Sequence, residues 1–79
     1  MWYVYILECS DSTLYTGITN NLDKRILAHN NKKGAKYTKT RTPVKLIYSI
    51  EVENKSIASK EEYRIKKLTR TEKFKLIYN

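Results

Sequence analysis

The chain has 79 residues, one cysteine, and a formal charge of +8 from 16 Lys and Arg against 8 Asp and Glu. That length makes one domain with a modest core, because a chain of this size buries only about 60% of its unfolded surface. Cys9 alone excludes an internal disulfide and a four-thiolate metal site. The longest apolar run, Trp2 to Leu7, falls far short of the ~20 residues of a membrane span, so a cytoplasmic protein is expected.

Trp2 to Glu8 reads as a strand rich in aromatic and β-branched residues. Cys9 to Thr13, with Asp11 and two serines, reads as a turn, and Leu14 to Thr19 as a second strand. The pair is a β-hairpin. If odd residues pair with odd, Tyr5 and Tyr15 share one face. Asn20 followed by Asp23 is expected to start a helix that runs to about Asn30. Its apolar stripe is Leu22 and Ile26, with Arg25 and His29 on the shoulder. Asn30 to Gly34 ends that helix. A basic, threonine-rich connection, with room for a short helical turn, then leads to Pro43.

"VKLIYSIEV" (44–52) is a third strand, alternating Val44, Leu46, Tyr48, Ile50 and Val52 against mostly polar residues. A second helix over 56–68 carries Ile57, Ala58, Ile65 and Leu68 along one side. Thr69-Arg70-Thr71-Glu72 has capping-box spacing and opens a last helix, 71–78, that buries Phe74, Ile77 and Tyr78. The order β-β-α-β-α-α predicts a single α+β domain, residues 1–79, with a small three-stranded antiparallel sheet flanked by helices.

The excess of basic residues points to a polyanionic partner, most often nucleic acid. From Lys32 to Lys45 the sequence has Lys32, Lys33, Lys36, Lys39, Arg41 and Lys45 and no acid. A merely solubilising surface would mix signs, so this run favours a phosphate-binding edge. It carries Gly34 and Pro43 and no sustained apolar stripe, which excludes an amphipathic membrane anchor. Among the remaining polar residues, Glu61 and Glu62 flank the apolar side of the second helix about equally, and periodicity does not choose between them. Each also has a plain reading: an ordinary boundary histidine, a solvated arginine, helix glutamates paired with lysines, tyrosines packed in a hairpin.

Together these residues carry a resemblance. Tyr3-Val4-Tyr5 stands where the GIY-YIG nucleases have Gly-Ile-Tyr, and Tyr15-Thr16-Gly17 where they have Tyr-Ile-Gly. "NNLDKRILAHN" (20–30) supplies the arginine and histidine of the family's first helix, and "EEYRIKKLTR" (61–70) its glutamate block. "LYTGIT" and "GAKYT" are similar to the small stand-alone bacterial members. Tyr3 in place of the name-giving glycine and Thr16 in place of isoleucine are departures. The resemblance implies an endonuclease that hydrolyses phosphodiester bonds in DNA with one Mg²⁺ or Mn²⁺ ion, structure-selective and linked to repair or recombination. It implies Glu62 as metal ligand, and Tyr5, Tyr15, Arg25 and His29 as catalytic residues. Tyr5, Tyr15 and His29 all remain open as the general base. Lys32, Lys33, Lys36, Lys39 and Arg41 would bind nucleic acid, DNA ahead of RNA, with an RNA-binding or RNA-cleaving protein as the weaker reading, and a protein partner would supply targeting. The alternative is a non-catalytic or partner-dependent nucleic-acid-binding module on the same scaffold.

The chemistry needs such a set. A phosphodiester repels an incoming hydroxide, and its charge grows in the transition state. Mg²⁺ keeps most of its waters and needs only one or two protein carboxylates, which a single glutamate meets. Arginine's forked donors clamp a phosphate. Free tyrosine, with a pKa near 10, is a poor base at neutral pH unless nearby cations favour the phenolate.

Overall fold

The computed structural model describes all 79 residues. Trp2–Glu8 (β1) and Leu14–Thr19 (β2) form the expected antiparallel hairpin, and Lys45–Val52 (β3) pairs antiparallel with the other edge of β1. The strand order is β2-β1-β3. Four helices complete the fold: α1 (Leu22–Asn30), α2 (Lys36–Lys39), α3 (Lys55–Lys66) and α4 (Arg70–Tyr78). The basic connection thus contains one short helix, and the α+β order is otherwise as the pattern predicts.

The central strand explains its own composition. Val4 and Ile6 point to one face of the sheet and pack on Ala58 and Ile65 of α3. Tyr5 and Leu7 point to the other, against Leu22 and Ile26 of α1. A strand covered on both faces reads as a continuous apolar run, as Trp2 to Leu7 does.

The third strand departs from expectation. Its even residues do not share a face. Ile6 pairs with Tyr48 but Leu7 with Leu46, so Ile47 is the extra residue of a bulge. Tyr48, Ile50 and Val52 pack on the α3–α4 side, whereas Val44 and Leu46 pack on the α1 side. Period-2 counting cannot detect an inserted residue, because the alternation on either side of it is intact.

The helix ends also adjust the sequence reading. The N-cap of α1 is Asn21, not Asn20: its side chain accepts from the Lys24 N–H at 3.1 Å. At the other end the Lys33 N–H reaches the Ala28 carbonyl at 2.8 Å and the Lys32 N–H reaches His29 at 3.0 Å. These are the two bonds of a Schellman motif, and Lys32 holds the left-handed position with φ 63°. Helix α1 therefore ends at Asn30, within the expected stretch, and a lysine takes the left-handed position. The capping box of α4 forms as predicted, with Thr69 and Glu72 satisfying each other's backbone N–H. Two apolar assignments fail. Ile57 is 41% exposed and Tyr78 is 72% exposed. Leu76 and Ile77 carry α4 onto the sheet instead, and Tyr78 stacks on Phe74 with centroids 5.9 Å apart.

Two substitutions test this packing. Ile65→Ala removes a fully buried side chain and should lower unfolding stability by about 2–5 kcal/mol. Lys32→Gly relieves a left-handed residue that costs about 1–2 kcal/mol but loosens the unfolded chain, for a net gain of about 0.5–1 kcal/mol. Urea denaturation reads both. A lower midpoint for Lys32→Gly would contradict the strain assigned to that cap.

Candidate functional site

The hairpin register sets the site. Tyr5 pairs with Gly17, and Leu7 with Tyr15. Odd therefore faces odd, and the rings of Tyr5 and Tyr15 lie on the α1 side with centroids 6.4 Å apart. Gly17 is glycine because the Tyr5 phenol crosses over it: a Cβ there would sit 2.5 Å from the Tyr5 hydroxyl. Helix α1 then brings Arg25 and His29, one turn apart, over the same rings.

His29 is not the boundary residue its spacing suggested. It has no solvent exposure, and neither does Tyr5. The Tyr5 hydroxyl and His29 Nε2 are 2.9 Å apart, and Arg25 Nε donates to the same hydroxyl at 3.4 Å. On the other side of the imidazole, Nδ1 lies 2.8 Å from Thr38 Oγ1. Thr38 is fully buried, and it bonds the Ala35 carbonyl at 3.0 Å. Gly34 lies flat against the ring, where an added Cβ would stand 2.7 Å from Cγ. Tyr15 meets the imidazole edge-on at 5.3 Å. Tyr3 and Tyr48 lie outside the cluster: Tyr48 packs on the opposite face of the sheet, and the Tyr3 phenol is raised by its hydrogen bond to Glu51.

The electrostatics follow from burial. Loss of solvent, reinforced by the Arg25 charge, pulls His29 down to about 4, so the imidazole is neutral at pH 7. Burial also pushes the Tyr5 phenol up, against the lowering effect of Arg25 and with a further rise from the Glu62 charge. Arg25 is raised, chiefly by its hydrogen bond to Tyr5 and also by Tyr15. The guanidinium thus stands beside both phenols, and it opens onto a surface groove of about 270 Å³ shared with Asn20, Asn21 and Lys24.

The two glutamates of α3 diverge. Glu61 pairs with Arg64, and its charge acts on Tyr48. Glu62 is 24% exposed in its side chain, lies 3.3 Å from Lys66 Nζ, and acts on Tyr5. No group of three or more His, Cys, Asp and Glu side chains assembles anywhere in the fold. The donor set therefore fits a hard, largely hydrated divalent ion on one carboxylate oxygen, not an ion caged by protein ligands.

The basic run divides. Lys32, Lys33, Lys36 and Lys39 are exposed. Arg41 is committed within the fold: its Nε holds Asp11 at 2.9 Å, its Nη1 donates to the Tyr37 carbonyl at 2.8 Å, and its guanidinium covers the Tyr37 ring at 4.1 Å. Tyr37 in turn stacks on Tyr15, 6.0 Å away. Arg41 is thus a support for α2 more than an open phosphate contact. Sequence reasoning missed Tyr37 and Thr38, although "GAKYT" contains both. It also missed Lys66 and Lys73, which line a groove of about 200 Å³ with Tyr15 and Tyr37.

A pH prediction follows. His29 titrates near 6.5 when unfolded and about 4 when folded. The unfolded state binds the extra proton, so its contribution is full above 6.5 and is lost as pH falls toward 4. Unfolding free energy should drop by about 1.6 kcal/mol from pH 6.5 to 5, the slope steepening toward about 1.4 kcal/mol per pH unit as the unfolded histidine becomes fully protonated. His29 is the sole histidine, and Asp11 and Glu72, both held low by their hydrogen bonds to Thr13 and Thr69, add their loss mainly at more acid pH, so the slope above pH 5 reads chiefly His29. Equilibrium unfolding across pH measures this, and a flat profile would mean that His29 is hydrated.

A family model described as the GIY-YIG catalytic domain matches residues 1–75. A UPF0213 protein of Clostridium perfringens is 64% identical, covering 98% of this chain and 83% of its own length. One of Oceanobacillus iheyensis is 57% identical over 95% of this chain and 87% of its own. The solution NMR structure of a UPF0213 protein from Bacillus halodurans superposes with a TM-score of 0.63 at 45% identity, covering 98% of this chain and 83% of that one. GIY-YIG nucleases generally use divalent metal ions, and the domain suggests nucleic-acid binding. The geometry and these relatives place the chain in the UPF0213 family, as a small GIY-YIG domain of the nuclease type, homologous to stand-alone bacterial proteins.

Proposed function

We propose that this domain is a metal-dependent endonuclease that hydrolyses phosphodiester bonds in DNA, selects its substrate by structure, and serves repair or recombination. The observation that carries the reading is the convergence of Tyr5, Tyr15, Arg25 and His29 on one face of the sheet, with the Glu62 carboxylate acting on the Tyr5 phenol from α3.

Each residue has a role. Arg25 lies beside both phenols and opens to the surface, so it holds the scissile phosphate with its forked donors. Tyr15 is partly exposed in the groove and orients the attacking water. Tyr5 takes the water's proton as general base, and His29 holds the Tyr5 hydroxyl. Because Tyr5 and His29 are sealed from solvent, the base works only once substrate has opened the cover over them. Glu62 holds one Mg²⁺ or Mn²⁺ ion, with Lys66 released from the carboxylate. When bound, the ion neutralises charge growing on the phosphoryl and leaving oxygens and favours the phenolate. Lys32, Lys33, Lys36 and Lys39 track the backbone of the nucleic acid.

A second reading has its own support. Tyr5 and His29 have no solvent exposure, and Lys66 already occupies Glu62. Those features suit a nucleic-acid-binding module that cleaves only when a protein partner remodels the site.

Cleavage of a panel of duplex, single-stranded, flap and branched DNA, with RNA as comparison, separates the two. In the endonuclease reading the protein alone gives product with Mg²⁺ or Mn²⁺. Glu62→Gln abolishes product and leaves binding near wild type, whereas Glu61→Gln changes the rate little. Tyr5→Phe lowers the rate by about 10²–10⁴, and Tyr48→Phe is close to neutral. Wild-type rates from both Tyr5→Phe and Glu62→Gln would refute the mechanism. No product across the panel would favour the binding module.

Binding is tested by salt. Affinity should fall by roughly 0.7–0.9 log units per log unit of salt for each phosphate neutralised. Neutralising Lys36 and Lys39 together should flatten that slope, while Arg41→Gln should act mainly on stability. An unchanged slope for the lysine pair would make the run a solvated surface.

A further inference from the structure

The buried hydrogen bonds around His29 can be given a direction by counting donors. The chain of contacts is Arg25 Nε to the Tyr5 hydroxyl, that hydroxyl to His29 Nε2, Nδ1 to Thr38 Oγ1, and Thr38 Oγ1 to the Ala35 carbonyl, at 3.4, 2.9, 2.8 and 3.0 Å. A neutral imidazole has one N–H and one acceptor nitrogen, so two tautomers compete.

With the proton on Nε2, the imidazole would donate to the Tyr5 oxygen, which already accepts from Arg25. The Tyr5 O–H would then have no acceptor within the fold, in a residue with no solvent exposure. An orphaned buried donor carries its full, uncompensated desolvation. Thr38 would also have to turn its one proton from the Ala35 carbonyl to Nδ1. The only gain would be an Ala35 N–H contact to Nδ1 at 3.5 Å, the longest in the cluster. With the proton on Nδ1, every side chain of the cluster is satisfied, and only the half-buried Ala35 N–H gives up its 3.5 Å contact. Arg25 donates to Tyr5, Tyr5 to Nε2, Nδ1–H to Thr38, and Thr38 to the Ala35 carbonyl. Every donor then runs the same way, from Arg25 toward α2.

We propose that Thr38 is a positioning residue that fixes His29 as the Nδ1–H tautomer, leaving Nε2 as the acceptor for the Tyr5 proton. Its hydroxyl is itself fixed by Ala35, and Gly34 closes the slot behind the ring, so the segment 34–38 is a cradle for one imidazole orientation. Where this touches turnover it rests on the nuclease reading above. There it supplies the route by which Tyr5 can become a base: the Tyr5 O–H bond breaks, its proton forms the Nε2–H bond, and the imidazolium keeps its Nδ1–H on Thr38. Arg25 faces the resulting phenolate. The other groups against the ring are Tyr15, Gly34, the Ala35 N–H and Thr38, none of them a carboxylate, so the free protein holds the imidazole neutral.

The tautomer is measurable without any activity. The protein has a single histidine, so long-range proton–nitrogen correlation on uniformly ¹⁵N-labelled protein at neutral pH reads His29 alone. The expected spectrum shows Nδ1 protonated and Nε2 unprotonated. Thr38→Ser should retain it, and Thr38→Val should shift His29 toward the Nε2–H form or a mixture. An Nε2–H wild type overturns the proposal, and so does a Thr38→Val spectrum identical to wild type. If Thr38→Val does not fold, the wild-type tautomer together with Thr38→Ser still decides. In cleavage, Thr38→Val should lower kcat on the order of 10–100-fold, as loss of the partner that orients a metal-bound histidine does. KM should stay within about twofold, and serine should restore the rate. A wild type that cleaves nothing while showing the Nδ1–H spectrum would sink the nuclease reading and leave the tautomer assignment standing.

Discussion

The hydrogen bond between the Tyr5 hydroxyl and His29 Nε2, 2.9 Å long and shut off from water, is the constraint on which this fold and its site both depend. A buried polar group must be paired or its desolvation is uncompensated. Once Tyr5 and His29 are placed in the interior, the rest follows. Gly17 must leave room for the phenol and Gly34 for the imidazole. Arg25 has to lie beside the phenol, and α2 has to exist, short as it is, to bring Thr38 to Nδ1. Helix α2 cannot hold its position by length. It is held by the stack of Arg41 on Tyr37 on Tyr15 and by the Arg41–Asp11 pair, which ties it back to the turn of the hairpin.

The same arrangement reconciles core with chemistry. A small domain has few residues to spare for its interior, and here the polar cluster is part of the second core, continuous with Leu7, Cys9 and Val44. The other core, between the sheet and α3 with α4, is built of apolar side chains, with the buried Thr16 its polar neighbour on β2. One face of the sheet therefore supplies stability and the other a site. The carboxylate comes from a helix of the apolar side: α3 packs on β1 and β2, and Glu62 acts on the phenol while Glu61 turns to Tyr48.

Much of the architecture was legible in the residues. The hairpin, the order of elements along the chain, the capping box at Thr69 and the alternation in β1 follow from local chemistry, and local chemistry is what a sequence records directly. The misreadings share a cause. The bulge at Ile47 and the exposure of Ile57 and Tyr78 are decided by what packs across from each residue, which no single segment contains. His29 is the clearest case. Helical spacing put it on a shoulder, yet it is fully buried, because its partners lie 24 residues before it and nine after it. The likeness to GIY-YIG nucleases located the residues of the site but not the cradle around them. Thr38 lies outside the blocks matched to the family's catalytic positions, and only its buried hydrogen bonds in the fold pick it out.

If Tyr5 and His29 are one unit, their contributions to the reaction cannot be independent. A double-mutant cycle on the metal-dependent cleavage rate measures this, using Tyr5→Phe, His29→Gln and the double variant. Residues that act together give grossly non-additive losses. The account predicts a double variant no slower than the slower of the two single variants. Losses that multiply would contradict it, and would make Tyr5 and His29 two separate residues that happen to touch.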